Sequence, residues 1–468
     1  MLENATIGVA RIDITPDWPV MLAGFGQRVV PCTGIIDRIF AKALYLNDGE
    51  RKLLLITADL ICIPKMLAMA VMQGLEASLG LRPEEICVCA SHTHSAPAPH
   101  DLGDGATGVA QFASSLQQAI LDVGAAAVAA AKPGRIKTGV GEVNIFRNRR
   151  TRGEPNLVDR RVPVIAAEDS ETGELKAVLF GAGCHPVTLG YDNLQISGDF
   201  TGYAQTQIEA ALPSVTALFF NTTEGNVIPI TSPNRDALDP RGYCGGRYED
   251  TRTMGAALAD EVLRVVASLG PPGSLRVASN RKVLSLEPNI SRLQPDEIAR
   301  MLETSRRTLA EFLGDDLQRA LPPGPLWSMA SAIVVRQALS EADMRRLMIA
   351  CCRYLGLSAR AGRTSPPALV EVCVQVMMIN DIELLALPGE VLVEVGQEWA
   401  RLAQSERAFV VGLANGHLRY LPLAAHFAEP DSDVRYETVT AMLRSDGVDR
   451  ALKEAEVLLK RLRQEAGV

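Results

Sequence analysis

Apolar and polar positions along this chain fall into two interleaved rhythms. ATIGVARIDITP alternates and ends in a proline, and KALYLND and RKLLLITADLICI form a hairpin pair joined by Asn47-Asp48-Gly49-Glu50. EEICVCAS is a continuous apolar run of small and β-branched residues, the pattern of a strand buried on both faces. Similar runs predict strands over 161–167, 177–183, 216–220, 371–378, 382–387 and 408–414. Between them, helical spacing predicts helices over 64–80, ending at Gly80, and over 111–132, stopped by Pro133-Gly134. Further helices are expected over 200–211, 249–268, 295–314, 340–355, 391–405 and 437–465. The interleaving implies an α/β fold, a mixed layered sheet with flanking helices, rather than a sandwich or a bundle. LPPGPLWS at 321–328 lies between two helical stretches, so 290–365 reads as a helical insertion within one domain spanning 1–468. No internal repeat or low-complexity tract interrupts this pattern.

Composition narrows the classes. At 47% hydrophobic and 22% charged residues, the chain can bury a large core. A net charge of −8 and a pI near 5.5, with no basic stripe, argue against a nucleic-acid partner. No apolar run in the sequence stands out at the roughly 18–20 residues of a membrane span, so no transmembrane segment is expected. MLENATIGVARIDITP has no basic region followed by an apolar core, so no secretory signal is expected. The nine cysteines are an odd count without a CxxC and sit mostly in apolar runs, which reads as buried free thiols in a reducing, cytoplasmic setting. The sequence leaves the oligomeric state, including a homo-oligomer, open.

The chemistry gathers where strands run out. There are six histidines: His92, His94, His100, His185, His417 and His426. In ICVCASHTHSAP, His92 and His94 share one side of an extended chain just beyond a buried strand. His185, in VLFGAGCHPVTLG, repeats the situation, with Pro186 forcing a loop. Asp59 ends LLLITAD, Asp199 opens a helix, Glu390 follows LLALPG at a helix start, and Asn415, His417 and Tyr420 follow the last apolar strand. NTTEGNVIP at 221–229 is a small-residue loop after another strand. Each has a plain structural reading: a strand-end imidazole bonded to a carbonyl, or an acid favoured in a first helical turn. One open site at the strand ends accounts for all of them together. His92, His185 and Glu390 would give a dication two nitrogens and a carboxylate, with Tyr420 a less common oxygen ligand. Asp59 and Asp199 are candidates to orient the histidines from behind.

ASHTHSAP, GAGCHPVTLG, SGDFTGYA, ALPGE, GLANGHLRY and RYE resemble the neutral/alkaline (non-lysosomal) ceramidases in their N-terminal catalytic domain. GVARIDITP, MLAGFG, TGIIDRIFAKALYL and LLITADL fit as well, so the resemblance runs from about residue 6 to about 440. It implies a Zn2+ ion held by His92, His185, Glu390 and Tyr420. It further implies that His94 binds the substrate carbonyl or oxyanion. Arg149 resembles the family's Asn-Arg arginine, with Arg147 as the alternative, and Tyr436 resembles a second active-site tyrosine. The implied reaction is hydrolysis of the amide of an N-acyl substrate, in the family an N-acylsphingosine, so the expected partner is a small molecule that can be a lipid. Two departures are read from the residues: the family's C-terminal Ig-like domain is not expected within these 468 residues, and Gly-Asp-Val-Ser-Pro-Asn appears as Gly225-Asn226-Val227-Ile228-Pro229-Ile230.

Competing readings remain at this point: a zinc hydrolase of esters or lactones, a barrel-type amidohydrolase, and a non-catalytic binding protein that keeps the fold. The barrel reading wants two further histidines, and His100, His417 and His426 lie in poor contexts for that, His100 and His426 reading as surface or loop residues.

Overall fold

A computed structural model describes residues 5–466 apart from 29, 101–105, 151–155, 233–244, 290–294, 322–325, 338, 362–368, 431, 433 and 434. Part of the linker at 321–328 therefore lies outside the described residues.

The fold is α/β, as expected, with two sheets face to face inside the helices. The larger has eight strands, in the order Thr216–Asn221, Leu175–Ala182, Arg161–Asp169, Lys132–Glu142, Thr6–Asp13, Phe40–Asn47, Lys52–Ala58 and Ile86–Ala90. The pairs at its two edges are parallel and the inner pairs antiparallel. The smaller has the order Val277–Leu286, Val370–Ile379, Ile382–Ala386 and Ala408–Val411, its last pair parallel.

Alternation within strands decides what each face meets. Leu44, Leu46, Leu53, Leu55, Leu179 and Phe220 point inward onto Met377, Ile379, Leu384 and Phe409 of the smaller sheet. Their neighbours Ala43, Leu54, Ile56 and Val88 point outward onto helices Lys65–Leu79 and Val109–Ala129. Val164, Ala166, Val178 and Phe180 meet helices Asp199–Ala211 and Tyr248–Ser268. On the far side, Val374, Val376, Leu385 and Val410 are covered by helices Val393–Ala403 and Gly447–Ala466. Burial of each such large apolar side chain contributes about 1.5–3 kcal/mol. Strands covered on both faces read as continuous apolar runs, whereas Thr6–Asp13 and Val277–Leu286 are partly exposed and do not. Helix Val109–Ala129 is by length and composition apolar enough to cross a membrane, which the sequence reading did not single out. Here Phe112, Leu116, Ile120 and Val123 pack on the sheet.

The expected helices over 295–314 and 340–355 appear as Pro295–Leu313 and Glu341–Ala361, with Leu317–Ala320 and Leu326–Arg336 between them. They leave and return at one end of an antiparallel pair, where Leu286 is the register partner of Val370. Their buried cluster includes Leu309, Leu326, Leu347 and Met348, with Tyr436 and Val439 packed against it.

Two expectations are corrected and one unpredicted strand is added. Pro133-Gly134 do not merely stop a helix, since strand Lys132–Glu142 begins there. Val277–Leu286, too polar on one side to stand out, is a strand. The helix expected over 437–465 is two, Tyr436–Thr440 and Gly447–Ala466. It breaks because Leu443 bridges Pro288 and the Asn289 and Arg444 amides bond the carbonyls of Met442 and Glu287.

The larger sheet curls until its edges approach. Lys42, 2% exposed on an inner strand, donates to Ala217 O on the edge strand at 2.8 Å and to Glu209 Oε1 at 2.7 Å. Burial pushes the Lys42 pKa down, and the negative charges of Glu209 and nearby Asp59 oppose it. Lys42→Ala is expected to destabilise the protein by about 1–3 kcal/mol, because it leaves the buried Ala217 carbonyl without its donor and Glu209 with Arg11 as its remaining cation. Chemical denaturation checks this, and a loss below about 1 kcal/mol would mean that the lysine does not hold the curl.

Candidate metal centre

The parallel strands end in one crevice, and the proposed site residues converge there. Strands Lys52–Ala58 and Ile86–Ala90 run side by side, so the chain beyond each emerges together. The His92 amide bonds Leu60 O at 2.8 Å, and its ring Nδ1–H donates to Ile61 O at 2.6 Å. His92 is held at φ 71°, a strained conformation for a non-glycine residue. His185 is treated alike: its amide bonds Val227 O at 3.0 Å and its Nδ1–H donates to Glu224 O at 2.7 Å.

Carbonyls thus fix both tautomers, and each Nε2 is left with its lone pair facing the crevice. Glu390 arrives from the smaller sheet. Its segment pairs in parallel with Tyr420–Leu421, in a register that sets Glu390 beside Tyr420. Glu390 Oε2 lies 3.2 Å from His185 Nε2 and 3.5 Å from His92 Nε2, and the Tyr420 hydroxyl lies 3.4 Å from His185 Nε2. His94 Nε2 is 3.5 Å from His92 Nε2. The donor atoms of the three histidines fall within 4.8 Å of one another.

Electron-rich atoms at such spacing need positive charge between them. His185 does not supply it: burial, the largest effect, pushes its pKa down to about 4 despite its bond with Glu390. His94 is held well below the usual histidine range by burial and by His92 and His185. Burial opposes charge on Glu390 as well, but the surrounding imidazoles outweigh it and hold the group well below the usual carboxylate range. Two imidazole nitrogens and a carboxylate around one point are compatible with a metal site.

Asn221 sets the spacing of the two histidines. Fully buried at the end of strand Thr216–Asn221, it donates through Nδ2 to Ser91 O at 2.9 Å and to Cys184 O at 3.1 Å, and its Oδ1 accepts the Cys184 amide at 3.2 Å. Ser91 and Cys184 directly precede His92 and His185.

The remaining wall is basic, aromatic and apolar. Arg149 donates to Gly225 O at 2.8 Å, to the Tyr420 hydroxyl at 3.0 Å and to Glu437 Oε1 at 2.8 Å, so its guanidinium is held in place. Tyr436 stands edge-on to Tyr420, their ring centroids 5.5 Å apart. A cavity of about 190 Å3 is lined by these groups together with Phe25, Gln27, Ile61, Val187 and His417. Arg147, the alternative to Arg149, is absent from this lining and sits on a short strand paired with Ile228.

Three further expectations need correction. Asp59 and Asp199 do not orient the histidines. Asp59 accepts from the Phe40 amide and Gln205, and Asp199 accepts from Thr188 and the Leu189 amide. Glu390 is not a first-turn helix acid, because that helix starts at Val393 and Glu394 takes the role. His426 is buried, with its Nδ1 accepting the Leu423 amide and its Nε2 3.6 Å from Glu394, whereas His100 is exposed as expected.

Two elements of the site were given no role of their own in the sequence reading, which placed His417 at the strand ends and quoted the segment MLAGFG. His417 Nε2 lies 3.4 Å from Glu390 Oε1. Burial disfavours a charge on His417, but its bonds with Cys62 and Glu390 raise its pKa to about 9. The other element is the strap Gly24–Arg28. Arg28 is 6% exposed and donates to the carbonyls of Ala23 and His94, and Phe25 lies edge-on to the His94 ring at 4.9 Å. Gly24 has φ 97°, and a Cβ there would stand 2.5 Å from His94 Cγ. The segment MLAGFG was visible in the sequence, but nothing in it announced a contact with a residue so far along the chain.

Gly24→Ala should therefore displace the His94 imidazole and destabilise the protein by about 1–3 kcal/mol through overpacking. Urea unfolding gives the second quantity, and nitrogen resonances of the ring give the first. Unchanged His94 resonances would show that the strap does not set the ring.

The family model for the N-terminal domain of neutral/alkaline non-lysosomal ceramidases matches residues 6–238. Two solved structures share the fold, one of neutral ceramidase from Pseudomonas aeruginosa and one of a ceramidase complexed with C2. Each superposes with a TM-score of 0.72 at 20% sequence identity, over 98% of this chain and 75% of the other. The matched segment includes His92, His94, Arg149 and His185, while the fold contributes Glu390, Tyr420 and Tyr436 from beyond it. By that sequence match, residues 6–238 belong to the neutral/alkaline non-lysosomal ceramidase family.

Proposed function

We propose that this protein is a zinc-dependent hydrolase that cleaves the amide bond of an N-acyl substrate. Membership of residues 6–238 in the ceramidase family supports amide hydrolysis. The observation that carries zinc is the convergence of two bare Nε2 atoms, the Glu390 carboxylate and the Tyr420 hydroxyl. Ligand atoms about 2.0–2.1 Å from a tetrahedral zinc lie roughly 3.3 Å from one another. The separations of 3.2, 3.5 and 3.4 Å match that spacing.

His92, His185, Glu390 and Tyr420 are the proposed ligands. A bound dication supplies Lewis acidity and lowers the pKa of a bound water to about 7. The chain's own groups do the rest. His94, neutral and held by the strap, presents Nε2 toward the crevice and donates a hydrogen bond where negative charge develops on the acyl oxygen. Tyr436 lines the same wall and contributes a second polar group there. Arg149 steadies the Tyr420 oxygen and, with Glu437, keeps the wall rigid. Phe25, Ile61 and Val187 give the acyl part an apolar surface and exclude water from it.

Purified protein should contain roughly one zinc per chain, measured by elemental analysis. A chelator should remove both zinc and turnover of an N-acyl amide, and added zinc should restore them. His185→Ala should lose metal and activity together. His94→Ala should keep its metal and lose about 10²–10³ in kcat, the range for removing one such donor. Full activity in His185→Ala, or no metal taken up from added zinc, would overturn the reading. Turnover of esters or lactones with none of amides would move the substrate class while leaving the metal site standing.

A further inference from the structure

A second cavity, of about 400 Å3, lies on the other side of His417 from the metal centre. It opens where helix Lys65–Leu79 faces the edge strand Val277–Leu286. Its walls include Met69, Met72, Val283 and Leu418. Met69 and Val283 are 37% and 45% exposed, an apolar mouth on the surface. Half-buried Arg281 faces this space. Its Nε donates to Cys373 Sγ at 2.9 Å, and no carboxylate within ion-pair distance meets its guanidinium among the described residues. The other charges of the lining are accounted for differently: Lys65 and Glu371 pair at 2.5 Å, His417 has Glu390 at 3.4 Å on its far side, and Glu76 is exposed to water.

An apolar wall with a single uncompensated guanidinium is the recognition chemistry of an aliphatic carboxylate. We propose that this cavity binds a medium-chain fatty acid, its chain along Met69, Met72 and Val283 and its carboxylate on Arg281. The site is distinct from the metal centre. The partition between them is thin, because His417 lines both cavities. The choice of a carboxylic acid rests on the reading above, since an acid is what hydrolysis of an N-acyl amide releases. The binding itself needs neither metal nor turnover.

The test uses the full-length protein stripped of metal and titrated with decanoate, decanol and decylammonium by calorimetry. Decanoate should bind with one site per chain, and the other two at least tenfold more weakly. Arg281→Gln should weaken decanoate about tenfold, the loss of one charge-assisted pair. Val283→Trp, which places bulk at the mouth, should abolish binding. In nitrogen-resolved spectra decanoate should shift the His417 ring and leave His94 unmoved. Equal binding of decylammonium, an Arg281→Gln affinity equal to that of the parent, or a shift at His94 instead of His417 would each overturn the proposal. A protein that binds decanoate in this way yet hydrolyses no amide would keep the cavity and lose the proposed function. One that hydrolyses amides and binds no decanoate would do the reverse.

Discussion

Everything at the candidate centre depends on the carboxamide of Asn221. It is one side chain, at the end of an edge strand, bonded to the residues directly before His92 and before His185. The two histidines come from strands on opposite sides of a sheet whose sequential neighbours never bring them together. Only the curl of the sheet, with Asn221 bridging its edges, places them side by side. A buried amide of this kind is stable only if its donors and acceptor are satisfied. Asn221 meets that condition by satisfying the chain on both flanks of the crevice. The same residue's carbonyl accepts the Gly412 amide, which ties in the smaller sheet that delivers Tyr420.

The altered loop Gly225–Ile230 meets His185 and Arg149 through its backbone. Glu224 and Val227 hold His185 through their carbonyls, Gly225 holds the Arg149 side chain through its carbonyl, and Asn226 accepts the Arg149 amide. The Asn226 side chain works elsewhere, accepting the Val393 amide at 3.0 Å and donating to Glu394 at 2.9 Å, which fastens the helix behind Glu390. Ile228 is simply buried. Backbone groups are the same for every residue type, so such a loop can change its side chains and keep its geometry.

What was legible in the sequence follows from range. Strands buried on both faces announce themselves locally, and so does a histidine or acid placed where an apolar run stops. His92, His185 and Tyr420 could be placed in one crevice on that basis alone. Glu390 was assigned to the right crevice with the wrong local structure, because its ladder with Tyr420 joins segments distant in sequence. The strand Val277–Leu286 was hidden by its exposed edge, where Arg281 and Lys282 break the apolar pattern. A carbonyl bond is the plain reading of each strand-end imidazole, but which carbonyl is illegible, because carbonyls carry no residue identity, and the visible acids Asp59 and Asp199 stand as the candidates instead. Gly24 is a similar case, since its value lies in the absence of a Cβ against a ring about 70 residues away.

The centre also lies on the seam of the fold. His92, His94 and His185 belong to the larger sheet and its loops, while Glu390, His417 and Tyr420 belong to segments that follow the smaller one. Neither half holds enough donors for a closed site, and the apolar layer between the sheets is what brings the halves to bonding distance. Before a cation binds, the cost of that proximity is concentrated in one place. Two lone pairs and a carboxylate converge in a region where burial disfavours protonating His185 and His94. A cation in that space would therefore act on the whole molecule as well as on a substrate, because it draws together the two layers whose packing created the site.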